Sequence, residues 1–557
     1  MSSPSIKPVG RVIITQKEPA TPYEFWAWLT TEHSSDIEIG TFLTVEGENN
    51  ERLITVVEEL RHTSTAEDHM QEFFSHGCGD PLVKPRTNPT IVRLAKLRVV
   101  SRYPTRLTPP ESRWTVRRLT SADVEYLSSN IPSRHRVLLG FLKTSAEEGD
   151  PQSWQPVYGH VEFIIGTEGA HINISGKTGL ATKTSYALFL CLSILAWAAI
   201  HNERIGIVLF NVKREDFLRL HELPSTWEEA EQQIRKWSQK LGDPRLGERT
   251  IALWKRARDE GVDPIKIKPQ VRYFTYQNDP YASLMPSPVY YSYGLADLER
   301  GEVIAALFEA EETAEQQVNL VDSYLRTYSH ASFEDFERDL YNALRGGSGS
   351  WVTVAGTSWH RSTVGALLRR LNGFKSRATH VISWKAPKAN PIKFNSLVEG
   401  FNVIQLYGLL DDGKRLVVNA VLREISRGLE NPQRHLDAVV VVVDELNKYA
   451  PKGRSPIKEQ IVEIVARGRD LRMSLIGAEQ FASRVDRQVV GNCATIVVGK
   501  SDYAEIREDV YRILGDFRHA VLNLEKGQLL VQHHIYQAPF VIWFPAPLHQ
   551  IQVRVKH

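Results

Sequence analysis

Between residues 1 and 120 apolar and polar positions alternate in short runs: RVIIT at 11–15, IEIGTFLTVE at 37–46, RLITVVEEL at 52–60 and TIVRLAKLRVV at 90–100. Such period-two patterning predicts half-buried strands. The cluster Gly47-Glu48-Asn49-Asn50 between the second and third runs suits a hairpin turn. A small β-barrel is the simplest packing of these strands, and the Pro-rich YPTRLTPPES at 103–112 reads as a linker after it.

From about residue 160 short β-branched runs alternate with long helical periods, which predicts parallel strands joined by crossover helices. The strands expected are HINIS (171–175), IGIVLF (205–210), SWVTVAG (350–356), THVISW (379–384), FNVIQL (401–406), AVVVVVDE (438–445), SLIGAEQ (474–480) and TIVVGK (495–500). Helices are expected over STVGALLRRL (362–371), RLVVNAVLREISRGL (415–429) and EQIVEIVARGRDL (459–471). The apolar stretch from Tyr186 to Ile200, interrupted by Ser193, falls short of the roughly 20 residues that span a bilayer and reads as a buried helix.

Residues 217–348 are dominated by helical periodicity. Ser225 with Glu228 suggests a capping box ahead of Trp227, Ala230, Ile234, Trp237 and Leu241, and Ser332 stands before Phe333, Phe336, Leu340 and Leu344 in the same way. The expected organisation is a barrel over 1–120, a first part of the α/β core over 121–216, a helical insertion over 217–348 closed by GGSGS, and the rest of the core over 349–557.

Composition narrows the class. Of 557 residues 42% are hydrophobic and 24% charged, values that exclude a disordered, collagenous or coiled-coil chain. The 68 Lys+Arg against 66 Asp+Glu exclude a uniformly basic nucleic-acid coat, so any such contact comes from local patches. Cys78, Cys191 and Cys493 are too scattered for a disulfide framework or a metal pair. That pattern, with an N-terminus lacking a signal peptide's apolar core, favours a reducing cytoplasm and no membrane anchor.

The first candidate chemistry is a phosphate-binding loop. Strand HINIS, the turn GKTGLAT and the helix opening at Lys183-Thr184-Ser185 have the required order, in which backbone N–H groups and a helix N-terminus cradle phosphates. In this frame Gly176, Gly179, Leu180, Ala181, Thr182, Lys183, Thr184 and Ser185 bind nucleotide, with Lys183 reaching the terminal phosphates and the Thr184 hydroxyl binding Mg²⁺. The usual Gly before the Lys is replaced by Thr182. A competing frame reads Gly176-Lys177-Thr178 as the Gly-Lys-Thr element, but leaves no room for a loop after the strand.

A second signal is Asp444-Glu445 at the end of a valine-rich strand, on the sheet edge where ligands of such folds bind. Asp444 is a candidate Mg²⁺ ligand and Glu445 a candidate for polarising the attacking water. Gln480 ends a neighbouring strand and is a candidate γ-phosphate sensor. Arg467 and Arg469 are candidates for insertion into a neighbouring subunit's site, against the plainer reading of a basic helix end.

Taken together, HINISGKTGLATKTSYALFL, NVKREDF (211–217), VVVVVDELNKYAP (439–451), ARGRDLRMSLIGAEQ (466–480), EKGQLLV and FPAP resemble the HerA-like hexameric ATPases, relatives of the FtsK DNA pumps. The N-terminal segment, through GRV (10–12), Tyr23-Glu24-Phe25 and IGTFLTVE, is similar to that family's HAS barrel. The resemblance implies a RecA-like P-loop core, ATP and Mg²⁺ as cofactors, and a homo-hexamer moving double-stranded DNA through its pore. It implies that Lys183 and Thr184 match the P-loop pair, Asp444 and Glu445 the metal-binding and water-activating acids, Gln480 the sensor and Arg469 the trans-acting Arg. It also implies a separate effector, a NurA-type nuclease or a sirtuin-like NADase, docking on the N-terminal barrel in DNA-end processing or anti-phage defence. The alternatives are a nucleotide-responsive scaffold that activates its effector with little translocation, and a pump for another polymer such as protein.

Other candidates are weaker. Arg361, Arg369, Arg370, Lys375, Arg377, Lys385, Lys388 and Lys393, with Trp384, form a basic stretch suited to a DNA backbone or to a solvated face. His533-His534 lacks a third metal ligand at useful spacing and reads as ordinary strand sequence. Lys213 and Asp216, after the strand at 205–210, are placed to approach the nucleotide site or a subunit interface.

Overall fold

The computed structural model describes residues 7–551 except 33, 49, 65–79, 81, 83–90, 145–148, 167–169, 178–182, 216, 309–314, 347–348, 454–455 and 550. The chain folds as an N-terminal barrel on a RecA-like α/β core. Strands β1 (Gly10–Ile13), β2 (Glu24–Leu29), β3 (Phe42–Glu46), β4 (Arg52–Ser64), β5 (Ile91–Tyr103) and β6 (Thr115–Arg118) close an antiparallel barrel in the order β1-β2-β5-β4-β3-β6. Alternate residues such as Phe25, Leu43, Val45, Leu97 and Val116 fill it, as a half-buried period-two pattern requires. The Pro-rich 103–112 segment is not a linker after the barrel but a loop within it. Arg102 donates to the carbonyls of Arg106 and Thr108, and the chain then returns as β6 to close the ring.

The core is a twelve-stranded sheet. Its strands are β7 (Arg136–Lys143), β8 (Trp154–His160), β9 (His171–Ser175), β10 (Ile205–Asn211), β11 (Val271–Thr275), β12 (Val289–Tyr290), β15 (Gly400–Gln405), β16 (Ala438–Asp444), β17 (Met473–Glu479), β18 (Thr495–Val498), β19 (Gln528–His533) and β20 (Phe540–Trp543). The order is β12-β11-β15-β10-β16-β17-β9-β18-β19-β20-β7-β8, parallel from β12 to β18 and antiparallel beyond. The remaining strands, β13 (Trp351–Val354) and β14 (Thr357–His360), form a separate hairpin, so SWVTVAG does not enter the main sheet. THVISW forms no strand: it makes one β-bridge, Tyr293 to Ile382, and is held by the buried Val381 and by Trp384 stacked on Phe333.

Both faces of the parallel strands are covered, which is why they read as unbroken apolar runs. Ile172, Ile174, Val440, Val442, Ile476 and Ala478 pack on one side with the helix Lys183–His201. Val439, Val441, Val443 and Leu475 pack on the other with the helix Pro456–Leu471. The Lys183–His201 helix is apolar on every side because it is enclosed. It is long and apolar enough to cross a membrane, yet lies in the protein core.

The segment read as a helical insertion is mixed. Helices Trp227–Lys240, Pro244–Asp259, Glu315–Thr327 and Phe333–Arg345 form within it, but β11 and β12 also arise there and extend the parallel sheet beyond β15. The first helix starts one residue later than its sequence signal: Thr226 accepts from the Glu229 N–H, and Glu229 Oε2 accepts from the Ser225 N–H. Ser332 caps its helix as read, paired with Asp335.

Candidate functional site

Parallel strands end together, so β9, β10, β15, β16 and β17 bring their last residues to one sheet edge. These last residues are polar and buried: Ser175, Asn211, Gln405, Asp444 and Glu479. Residues this polar at the ends of apolar strands mark a built site, because a buried polar group without partners costs about 1–3 kcal/mol. β17 lies between β9 and β16, with Ala478 in register with Ile174 on one side and Asp444 on the other.

The turn after β9 begins at Gly176, whose φ of 142° lies in the region that favours glycine; a Cβ there would sit 3.0 Å from the Gly499 backbone. Its N–H donates to the Glu479 carbonyl at 3.3 Å, and the Lys177 N–H to the Lys500 carbonyl at 2.8 Å. The turn is thus pinned between the ends of β17 and β18. Gly179, Leu180, Ala181 and Thr182 of the expected phosphate loop, with Thr178, lie outside the described residues.

Beyond that gap Lys183 opens the long helix, and its first turn meets the acids. Thr184 Oγ1 donates to Asp444 Oδ2 at 3.1 Å. Lys213, in the turn after β10, places its Nζ 2.5 Å from the same Oδ2 and 3.4 Å from Thr184 Oγ1. Lys183 is buried; burial holds its ammonium below the usual lysine range, Asp444 pulls back towards the charged form and Lys213 opposes it. Lys177 of the competing frame is exposed and faces Asp502 at 3.8 Å, away from this cluster.

Glu445 adopts a left-handed conformation, φ 61° and ψ 43°, with its N–H on Asp444 Oδ1 at 3.0 Å. A non-glycine residue is held there at a cost of roughly 1–2 kcal/mol. Its carboxylate is partly exposed and pairs with Lys448 at 2.5 Å. A hydroxyl and a carboxylate oxygen in mutual contact, with an exposed second acid alongside, fit a magnesium ion carried by a polyphosphate. Thr184 and Asp444 would hold it.

Sequence reasoning singled out Gln480, which is exposed just past the end of β17. It missed Glu479, which is fully buried, with neither carboxylate oxygen hydrogen-bonded to a described residue. Burial pushes its carboxyl up to about 8, with the nearby Asp444 and Glu505 charges adding to the rise and the Lys183 charge opposing it. Asn173 beside it is also buried, with neither amide atom partnered among the described residues. Next to them the Tyr511 hydroxyl bridges Ser175 Oγ and Glu505 Oε1, each at 3.1 Å, and Glu505 accepts from Ser483. The available signal was an acid as the last residue of an otherwise apolar run.

Arg467 and Arg469 lie in the last turns of the Pro456–Leu471 helix; their side chains are outside the described set, as is Asp216. That helix end leads into the start of β17, whose opposite end is Glu479. The strand separates the two by roughly 20 Å at ~3.3 Å per residue. Their backbone therefore sits at the sheet edge away from Lys183.

Much of the basic stretch is already engaged. Lys375 pairs with Glu337 at 2.9 Å and lies over the Trp384 ring, Arg377 pairs with Asp412, and Arg361 and Arg370 donate to the carbonyls of Leu344 and Leu307. Arg369, Lys385, Lys388 and Lys393 are exposed. His533 is buried in the sheet: its Nδ1 donates to Thr495 Oγ1 at 2.6 Å and its Nε2 accepts from the His160 N–H at 3.0 Å, so neither ring nitrogen is left for a metal.

No protein-family model matches this sequence, and neither does any curated protein. Among solved structures the chain is similar to VirB4 of Thermoanaerobacter pseudethanolicus, at 14% identity and a TM-score of 0.45 over 76% of this chain and 100% of that one. It is also similar to the bacterial conjugative coupling protein TrwB, at 10% identity and 0.44 over 77% and 92%. The same coupling protein in complex with the ATP analogue ADPNP gives 11% and 0.43 over 69% and 86%. Likeness at this level says nothing of what the chain does; that rests on its own site.

Proposed function

We propose that the chain is an ATPase that uses Mg²⁺ and ATP to move double-stranded DNA through a homo-hexameric ring. The observation that carries the nucleotide reading is the contact of Thr184, one residue into the long helix, with Asp444 at the end of the valine-rich strand. In this reading the Lys183 ammonium and the helix N-terminus bind the phosphates. Magnesium, held by Thr184 and Asp444, neutralises phosphate charge when bound. Glu445 orients and polarises the attacking water, and Gln480 and the neighbouring subunit's copies of Arg469 and Arg467 respond to the γ-phosphate.

DNA, the ring and a separate effector, nuclease or sirtuin-like NADase, on the N-terminal barrel come from the HerA-like motifs, whereas the boundaries at 120, 216 and 348 come from the change of hydrophobic periodicity along the chain. Work in the cytoplasm in DNA-end processing or anti-phage defence belongs to the same reading. The four exposed cations Arg369, Lys385, Lys388 and Lys393 offer the duplex sequence-independent contacts. A nucleotide-responsive scaffold is the second reading, favoured by the ion pair of Glu445 with Lys448. The test is duplex-stimulated phosphate release, lost in Lys183→Ala. Binding of ATP without release, with partner activation unchanged in Glu445→Gln, selects the scaffold; no Lys183-dependent ATP binding refutes both.

A further inference from the structure

Three polar groups from three separate chain segments meet at one point of the candidate site. Thr184 Oγ1 lies 3.1 Å from Asp444 Oδ2, and Lys213 Nζ reaches both, at 3.4 and 2.5 Å. Asp444 is buried and Lys213 is 29% exposed, so the pair sits where solvent screening is reduced. The turn carrying Lys213 is anchored at its base, since the Asn211 carbonyl accepts from the N–H groups of Leu406 and Tyr407. The flexible four-carbon stem of Lys213 extends beyond that anchor.

A magnesium ion bound by the same hydroxyl and carboxylate needs oxygens at about 2.0–2.1 Å. An ammonium already in hydrogen-bond contact with both oxygens competes for the same lone pairs and repels a divalent charge. The two cations therefore exclude one another at this point.

We propose that Lys213 is a tethered counter-cation that closes the Thr184–Asp444 metal half-site to free divalent ions and transfers to a phosphate oxygen when a metal–nucleotide complex enters. The inference rests on the nucleotide reading above. Asp444 stays neutralised in both states, first by the ammonium and then by the metal. Lys213 becomes a second phosphate-binding cation beside Lys183.

The test uses the full chain and Mn²⁺ alone, followed by the electron paramagnetic resonance signal of free Mn²⁺. Wild type is expected to bind weakly without nucleotide, and Lys213→Gln at least about tenfold more tightly, since a nearby like charge has been removed. Adding Asp444→Asn to Lys213→Gln should abolish the gain, which locates the ion. With Mg²⁺ present, Lys213→Gln should weaken binding of a fluorescent ATP analogue and Lys213→Arg should restore most of it. Equal Mn²⁺ affinity in wild type and Lys213→Gln, or a gain that survives Asp444→Asn, overturns the inference. If Lys183→Ala binds the analogue as well as wild type, the nucleotide reading itself has failed. If Lys183→Ala loses binding while the Mn²⁺ affinities remain equal, the Lys213 inference alone has failed.

Discussion

Glu445 Oε2 stands 2.5 Å from Lys448 Nζ, three residues further on in the short helix that starts at Leu446. The acid proposed to polarise water is thus held by a lysine that is itself 63% exposed. An exposed pair contributes under about 1 kcal/mol, so Lys448→Ala should raise basal phosphate release by no more than about fivefold. The increase should shrink at high salt, where the wild-type pair is already screened. A drop in rate would show that Lys448 assists turnover instead.

Glu479 gives a pH signature. Its carboxyl is raised from 4.5 to about 8, so between these values the folded chain keeps a proton that the unfolded chain has released. Stability therefore falls as pH rises through that window and changes no further above it. Glu479→Gln removes the penalty: relative to wild type it should gain at least about 1 kcal/mol more at pH 9 than at pH 5. Thermal unfolding at the two pH values checks this, and an equal difference at both would refute it.

His533 works in the opposite direction. Burial, with His534 and His160 nearby, lowers its imidazole from 6.5 to about 3. The unfolded chain takes up a proton below 6.5 that the folded chain refuses, so stability is lost as pH falls from 6.5 towards 3. His533→Gln should lower the unfolding free energy at pH 7.5 by about 1–3 kcal/mol for the unpaired groups left behind. It should also flatten the further loss on going to pH 5.5.

Gly176→Ala puts a side chain at a φ of 142° and within 3.0 Å of the Gly499 backbone. The turn must shift where it is tied to β17 and β18, so ATP affinity should fall about tenfold while the fold loses only about 1 kcal/mol. Titration with a fluorescent nucleotide reads the first and thermal unfolding the second.

For DNA, alanine at Lys385, Lys388 and Lys393 together should reduce the salt dependence of duplex binding by up to about 2.7 in the log–log slope, near 0.9 per lost phosphate contact. Lys375→Ala should leave that slope unchanged, because Lys375 is already committed to Glu337 and the Trp384 ring. Equal slopes for wild type and the triple variant would remove this loop from the DNA path.

The strands carrying the site were legible because burial on both faces forces unbroken β-branched runs, as in β9, β10, β16 and β17. Asp444, Glu445, Lys183 and Thr184 stood out as polar residues ending such runs or opening the helix after one. Lys213 could be placed near the edge but not on Asp444, since its contact depends on β10 lying beside β16, a pairing of residues more than 200 positions apart. β6 was missed because four residues after a Pro-rich loop carry little pattern, and β11 and β12 because short strands were outweighed by the helices around them. SWVTVAG has strand character but pairs locally with the segment that follows it, a choice made by chain proximity that period-two patterning does not encode.

The position of β9 within the sheet also sets an order of events during synthesis. Its two neighbours, β17 and β18, come from residues 473–498, and β7, paired early with β8, is joined to the rest of the sheet only through β20 at residues 540–543. A ribosome that has made the barrel, the long apolar helix and the helical layers has still not supplied the strands flanking β9. Until they emerge, β9 has neither of its strand partners, and the apolar helix that follows it lies against an incomplete sheet. Newborn copies stalled before residue 473 should be strong chaperone clients, and the proposed nucleotide site is assembled only near the end of translation.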